Sequence, residues 1–218
     1  HESVQSDRLR TTMQQPAWLT ERRPQGSTIL LFWSGGKDSF LTHRELVRTQ
    51  DHEVVWLTTF DAKTGLIAHQ DLHIDTIVTQ AEHLQVPVIG VPLHSSRTYI
   101  DHILSALTLI NDLRALAFGD LHLEHIRGWR EDVFGAHPNT RNLTLLFPLW
   151  HRSYDQLLID LEASGADCRL SAVVSEALTV AVGDPYDRHF LAALPEDVDP
   201  FGECGEFHTV VSFPEVAT

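Results

Sequence analysis

The chain is short of two things that often decide the class of a protein this size, cysteine and positive charge. Its only cysteines, Cys168 and Cys204, lie far apart and in no CxxC or zinc-type spacing. Neither a disulfide scaffold nor a zinc knuckle is indicated, and a reducing compartment is the simplest setting. Lys and Arg number 16 against 30 Asp and Glu, a formal net charge of −14 at pH 7. Such a surface repels nucleic acid, whose binding is dominated by phosphate neutralisation, and the basic residues are scattered rather than gathered into a stripe. No run of about 18 apolar residues occurs, and His1-Glu2-Ser3-Val4-Gln5 contains no apolar signal core. The expectation is a cytoplasmic protein with neither a nucleic-acid nor a membrane partner, and homo-oligomerisation is left open. Internal repeats and low-complexity tracts are also missing, and 218 residues suffice to bury a full core.

What the chain does have is a regular alternation. Short apolar runs at 29–33, 54–60, 86–91 and 113–118 read as strands, and helical patterns at 71–84 and 99–109 separate them. That order predicts an α/β fold with a doubly wound, Rossmann-like parallel sheet, whose near-continuous apolar strands are buried on both faces. The second half reads as a smaller C-terminal α/β subdomain. It has an extended stretch at 143–150, a helix at 153–163 between the cap Ser153 and the stop Gly165, and strands at 169–175, 178–182 and 210–213. The expected units are an N-terminal arm over 1–26, a ligand-binding domain over 27–140 and a substrate-binding subdomain over 141–218.

Ligands of such sheets bind outside the carboxyl ends of the strands. Polar residues recur there: Ser34 to Ser39 after the first strand, Asp61 after the second, His94-Ser95-Ser96-Arg97 after the third, and Gly119-Asp120 after the fourth. The first group, Ser34-Gly35-Gly36-Lys37-Asp38-Ser39, joins a buried strand to a helix N-terminus. Unpaired N–H groups and the helix dipole make that junction an anion site, with Lys37 read as an exposed loop cation. It is not a Walker A loop, because Asp38 separates Gly-Lys from Ser39.

Two further groups carry chemistry. Residues 119–131 combine Asp120, His122, Glu124, His125, Arg127, Arg130 and Glu131, several at helical spacing. Arg127 or Arg130 would meet phosphate and Asp120 would serve Mg²⁺ or a ribose, whereas the bland alternative is a solvated helix of ion pairs. A zinc site at His122 and His125 is weakly supported. Near the end, Gly202-Glu203-Cys204-Gly205-Glu206-Phe207-His208-Thr209 sets two carboxylates and an imidazole in a glycine-shaped loop, suited to an amine or to proton transfer.

In this order the glycine loop, Phe118-Gly119-Asp120, Trp129-Arg130-Glu131, Phe147-Pro148-Leu149-Trp150 and the Gly202–Thr209 loop resemble the diphthine–ammonia ligase family. These are the ATP-binding domain 4 group of the PP-loop ATP pyrophosphatases, which are adenine nucleotide alpha hydrolase-like. The resemblance spans roughly residues 28–213, and its last motif is the specific one. It implies ATP and Mg²⁺ as cofactors, adenylation of a carboxylate on a small molecule or protein side chain, release of pyrophosphate, and transfer to ammonia or an amine. It assigns catalysis to Lys37, Asp38, Asp120, Glu203, Glu206 and His208, and ATP binding to Ser34, Gly35, Gly36, Lys37, Asp38, Ser39, Asp61, Gly119, Arg127 and Arg130. Substrate binding falls to Gly202, Glu203, Cys204, Gly205, Glu206 and Thr209, and Mg²⁺ to Asp38 and Asp120. One residue departs from the pattern: Cys204 stands where the family usually has Asn, so this chain either takes a substrate other than diphthine or uses backbone groups in place of that amide. Adenylation of a tRNA base is a runner-up that the acidic surface disfavours, as the missing cysteine pair disfavours sulfur transfer. A regulatory protein that binds ATP or AMP without turnover is a third reading.

Overall fold

The computed structural model describes residues 14–214, so the first half of the expected arm lies outside the described residues. In chain order the elements are β1 (Ala17–Trp18), β2 (Thr28–Phe32), α1 (Lys37–Thr49), β3 (Glu53–Asp61), β4 (Leu66–Ile67), β5 (Leu72–His73), α2 (Ile74–Leu84), β6 (Val88–Leu93), α3 (Tyr99–Leu107) and β7 (Leu113–Ala117). There follow α4 (Glu124–Arg130), which runs into a π-helical turn at Glu131–Gly135, then β8 (Thr144–Leu146), α5 (Tyr154–Ser164), β9 (Asp167–Val173), α6 (Arg188–Ala192) and β10 (Phe207–Ser212).

Six strands form one sheet in the order β1-β6-β3-β2-β7-β8, parallel throughout except for β1. The α/β doubly wound expectation holds. Alternate residues of β2 serve opposite faces, Ile29 and Leu31 in one core and Leu30 in the other, all fully buried. This is why the strand reads as a continuous apolar run. On the first face lie α1, α2 and α5 through Phe40, Ile77 and Leu157; on the second, α3 and the π turn supply Ile103 and Phe134. The chain leaves β2 for β3 on one side and later returns to add β7 on the other. That puts a topological switch point, and hence a crevice, between the carboxyl ends of β2 and β7.

Several boundaries move. The stretch at 71–84 is not all helix: Leu72 and His73 pair back to Leu66 and Ile67 in a small hairpin, and α2 starts only at Ile74. Residues 178–182 form no strand, because Ala181 N donates to Asp184 Oδ2 and Asp184 N to Ala181 O, closing a local turn. The sheet also draws on both flanks of the expected central unit, with β1 from the arm and β8 from beyond position 140.

The rest of the C-terminal segment forms the antiparallel pair β9–β10. Its attachment to the sheet is specific. Val211 N donates to Gly35 O, and the buried carboxamide of Gln80 on α2 donates from Nε2 to both Gly35 O (2.9 Å) and Val211 O (2.7 Å) while Oε1 accepts from Trp33 Nε1 (2.9 Å). One side chain thereby ties the end of β2, the glycine turn and β10 together. Gln80→Leu preserves bulk and removes all three bonds, leaving buried polar groups unpaired. Denaturant unfolding is expected to show a loss of roughly 2–4 kcal/mol, and an unchanged unfolding midpoint would mean that the bridge does not hold the hairpin.

Candidate functional site

A cavity of about 440 Å³ opens at the switch point. Its wall takes Ser34, Gly36, Lys37 and Asp38 from the glycine turn, Asp120, Leu123, Ile126 and Arg130 from the segment after β7, and Phe201, Gly202, Glu203, Gly205 and Phe207 to Thr209 from the loop before β10 and its start. His69 and Gln70, at the tip of the β4–β5 hairpin, close the remaining side. Three segments singled out in the sequence therefore converge on one space. A second cavity, of about 270 Å³, lies at the opposite edge among Trp18, Thr28, Leu109 and Asn111, away from all of them.

The glycine turn is shaped by contacts rather than by flexibility. Gly35 has φ +88°, and a Cβ there would sit 2.8 Å from Ile77 Cδ1; at Gly36 it would sit 2.9 Å from the carbonyl oxygen of Thr209. Both glycines let the loop press against α2 and β10. Ser39 Oγ turns inward, within 2.9 Å of Ser34 Oγ and 3.2 Å of both Ser34 N and Gly36 O, so it braces the turn instead of lining the cavity. Thr209 Oγ1 accepts from Lys37 N at 3.1 Å, which closes one first-turn amide to any ligand.

Lys37 is not the exposed cation expected from the sequence. It is 2% exposed, its Nζ donates to Phe201 O at 2.6 Å and pairs with Asp38 Oδ2 at 3.0 Å, and it sits 4.9 Å from the Phe201 ring centroid and 5.3 Å from that of Tyr186. The aromatic surroundings are supplied by the second half of the chain, so no local pattern announces the burial. A buried ammonium is tolerable only with such partners.

Burial also sets the titration of the groups around it. Asp38 is raised, chiefly by desolvation, with Lys37 opposing; its second oxygen, Oδ1, is buried and has no hydrogen-bond partner. Glu203 is pushed up to about 7 by burial and by the negative charge of Asp38. His208 is lowered by burial and by His69 and Lys37, which favours its neutral form. The loop carrying Glu203 is organised by Asp199, a residue outside the sequence-derived set: Oδ1 accepts from Phe201 N (2.8 Å) and Glu203 N (3.2 Å), and Oδ2 accepts from Tyr154 OH (2.9 Å). Asp-Pro ahead of Phe-Gly is a turn signal that could have pointed to it.

Other expected residues are placed differently. Asp61 is exposed and caps its own turn, accepting from Lys63 N, Thr64 N and Thr64 Oγ1. Arg127 stacks over Phe147 and Trp150 and pairs with Glu131 at 2.9 Å, outside the cavity wall. Gly119 packs behind the wall, where a Cβ would lie 3.2 Å from Thr42 Oγ1. Glu206 faces its own loop, Oε1 accepting from Asp199 N at 2.9 Å, while Cys204 is exposed and does not line the cavity. His122 pairs with Tyr154 OH rather than with His125. The loop at 94–97 is also outside the wall, as expected if the crevice belongs to β2 and β7.

The two assigned Mg²⁺ ligands separate. Both oxygens of Asp120 are held by Arg130, at 2.6 and 3.2 Å, so Asp120 is engaged elsewhere. Asp38 Oδ1 is a carboxylate oxygen free to take a cation. Among the described residues no group of three or more His, Cys, Asp or Glu is placed to hold a metal. The residues therefore fit a Mg²⁺ that arrives with phosphates and takes one protein carboxylate, which is a common arrangement for that ion.

No protein-family model matches the chain, and no curated protein matches it in sequence. Among solved structures it is similar to a predicted subunit of a tRNA methyltransferase from Methanocaldococcus jannaschii, at 17% identity, covering 85% of this chain and 96% of that one, with a TM-score of 0.41. It is also similar to the FMN adenylyltransferase of Candida glabrata in complex with FMN and an ATP analogue, at 14% identity, 71% of this chain, 56% of that one and a TM-score of 0.40. The same yeast enzyme in complex with ATP gives 14% identity, 81% of this chain, 68% of that one and 0.40. The class rests on this chain's own topology: a doubly wound α/β protein with a glycine turn and a polar cavity at its switch point.

Glu203 supplies a pH signature. A carboxyl whose folded pKa is raised binds its proton more tightly when folded, so its contribution to stability is full below the ordinary Glu value of 4.5 and is lost as pH rises through about 7. Glu203→Gln is neutral at every pH. Relative to wild type it is expected to be equally stable at about pH 4 and more stable at about pH 8. An equal difference at both pH values, read from denaturant midpoints, would contradict the buried-carboxyl assignment.

Proposed function

We propose that the protein is an ATP-dependent enzyme of the PP-loop ATP pyrophosphatase type that joins a carboxylate to ammonia or an amine. The observation that carries this reading is Lys37: the glycine turn and the Gly202–Thr209 loop meet through it and line one cavity at the switch point. Ser34, Gly36 and the α1 N-terminus provide hydroxyl, amides and dipole for phosphate, and Arg130 adds a second cation across the cavity.

In this mechanism an oxygen of the acceptor carboxylate attacks the α-phosphorus, the bond to the bridging oxygen breaks, and pyrophosphate departs with its electron pair. Charge grows on the leaving group as the bond breaks. Lys37 and the helix N-terminus therefore stabilise the transition state more than the bound substrate. Mg²⁺ bound with the nucleotide would neutralise phosphate charge, with Asp38 Oδ1 as the oxygen available to hold it. Ammonia or an amine then attacks the acyl carbon and AMP leaves. A proton must be removed from the nitrogen, and Glu203, titrating at about 7 in the cavity wall, is matched to that task. His208, favoured neutral, lies in the same wall and positions substrate. Glu206 serves by shaping the loop through Asp199 rather than by touching substrate.

Incubating the protein with Mg·ATP, ammonium and a panel of carboxylic acids, with product nucleotides separated by chromatography, tests the reaction class. AMP and pyrophosphate in equal amounts are expected, dependent on the acid. ADP and phosphate, or intact ATP that stays bound, would contradict the ligase reading and point to a different hydrolase or to a regulatory binder.

A further inference from the structure

The β4–β5 hairpin contributes two residues to the cavity that the mechanism above does not use, His69 and Gln70. The tip is held in an unusual backbone conformation: His69 has φ +64° and Asp71 φ +50°, left-handed values on both sides of Gln70. His and Asp enter that region more readily than most residues, yet two around one side chain aim it with little freedom. The aim is inward. Gln70 Nε2 lies 3.4 Å from His208 Nδ1, and Gln70 Oε1 is buried without any hydrogen-bond partner. A buried amide acceptor left unpaired costs stability, and in a cavity wall it is a place for a donor on a ligand.

The distribution of charge indicates which part of a ligand lies there. The cations in the wall are Lys37 on its floor and Arg130 on the β7 side. The hairpin side presents the carboxamide of Gln70 and His208, with the exposed imidazole of His69 beside them. A nucleoside triphosphate placed with its anionic tail between Lys37 and Arg130 turns its uncharged end toward the hairpin. We propose, building on the ATP reading, that Gln70 is the residue that selects the base: its Oε1 accepts a hydrogen bond from the exocyclic 6-amino group of a purine, while Nε2 stays on His208, which fixes the orientation of the carboxamide. A 6-oxo purine would set a carbonyl oxygen against Oε1 and be rejected, since a site built for a donor discriminates against a ligand lacking it.

Titration calorimetry of the full chain with ATP, with inosine triphosphate and with inorganic tripolyphosphate tests this. Wild type is expected to bind ATP about tenfold or more tighter than inosine triphosphate. Gln70→Ala is expected to bring the two to equal affinity and leave tripolyphosphate binding unchanged. Gln70→Glu retains an acceptor and keeps the preference, which also guards against a hairpin that misfolds in the alanine variant. An ATP preference unchanged in Gln70→Ala overturns the proposal while the phosphate site stands, as does a wild type that binds both nucleotides equally. A wild type that binds neither ATP nor tripolyphosphate overturns this inference together with the ATP reading.

Discussion

Everything at the functional edge of this molecule depends on one buried ammonium group. Lys37 begins α1, yet its charge is neutralised by its neighbour Asp38 and by a carbonyl 164 positions later, at Phe201. Removing an ammonium from water is expensive, and the expense is offset only if a carboxylate, a carbonyl and aromatic faces surround it together. The fold therefore holds the loop between β9 and β10, and β10 itself, against the glycine turn where α1 begins. Gln80 and Thr209 reinforce the same junction through backbone groups of the turn. The cavity exists because these segments meet at the switch point and not elsewhere.

The junction also explains why the site's ionisable groups are tuned as they are. Burial raises both Asp38 and Glu203; Lys37 opposes the rise at Asp38, while at Glu203 the negative charge of Asp38 adds to burial and brings the carboxyl to about 7. Asp120 and Arg130 satisfy one another on the β7 side of the cavity. A polyanion entering the cavity meets cations that are already paired, so binding exchanges one set of charge partners for another rather than quenching bare charges. Such exchange favours ligands whose geometry matches the existing pairs.

Much of this was legible in the sequence. The four central strands announce themselves as apolar runs because helices cover both sheet faces, and the two loops rich in glycine stand out because backbone approach demands glycine at Gly35, Gly36 and Gly202. What was not legible depends on distant partners. Lys37 reads as a loop cation until Phe201, Tyr186 and Phe207 are placed around it. Asp61 reads as a ligand because an acid after a strand looks the same whether it faces a cavity or caps its own turn. Gln70 carries no motif, and its two-residue strands are too short for periodicity to show. Arg127 and Arg130, three apart on α4, were indistinguishable in sequence, and only packing sends one to Phe147 and the other to Asp120.

The most direct test of the central claim is Lys37→Ala, assayed in one preparation for thermal stability and for tripolyphosphate binding. If the buried ammonium is both the knot of the fold and the floor of an anion site, the variant melts lower than wild type and loses most of its affinity for the anion. A melting temperature equal to wild type would show that the junction does not depend on Lys37. Undiminished anion binding would show that the cavity's charge lies elsewhere.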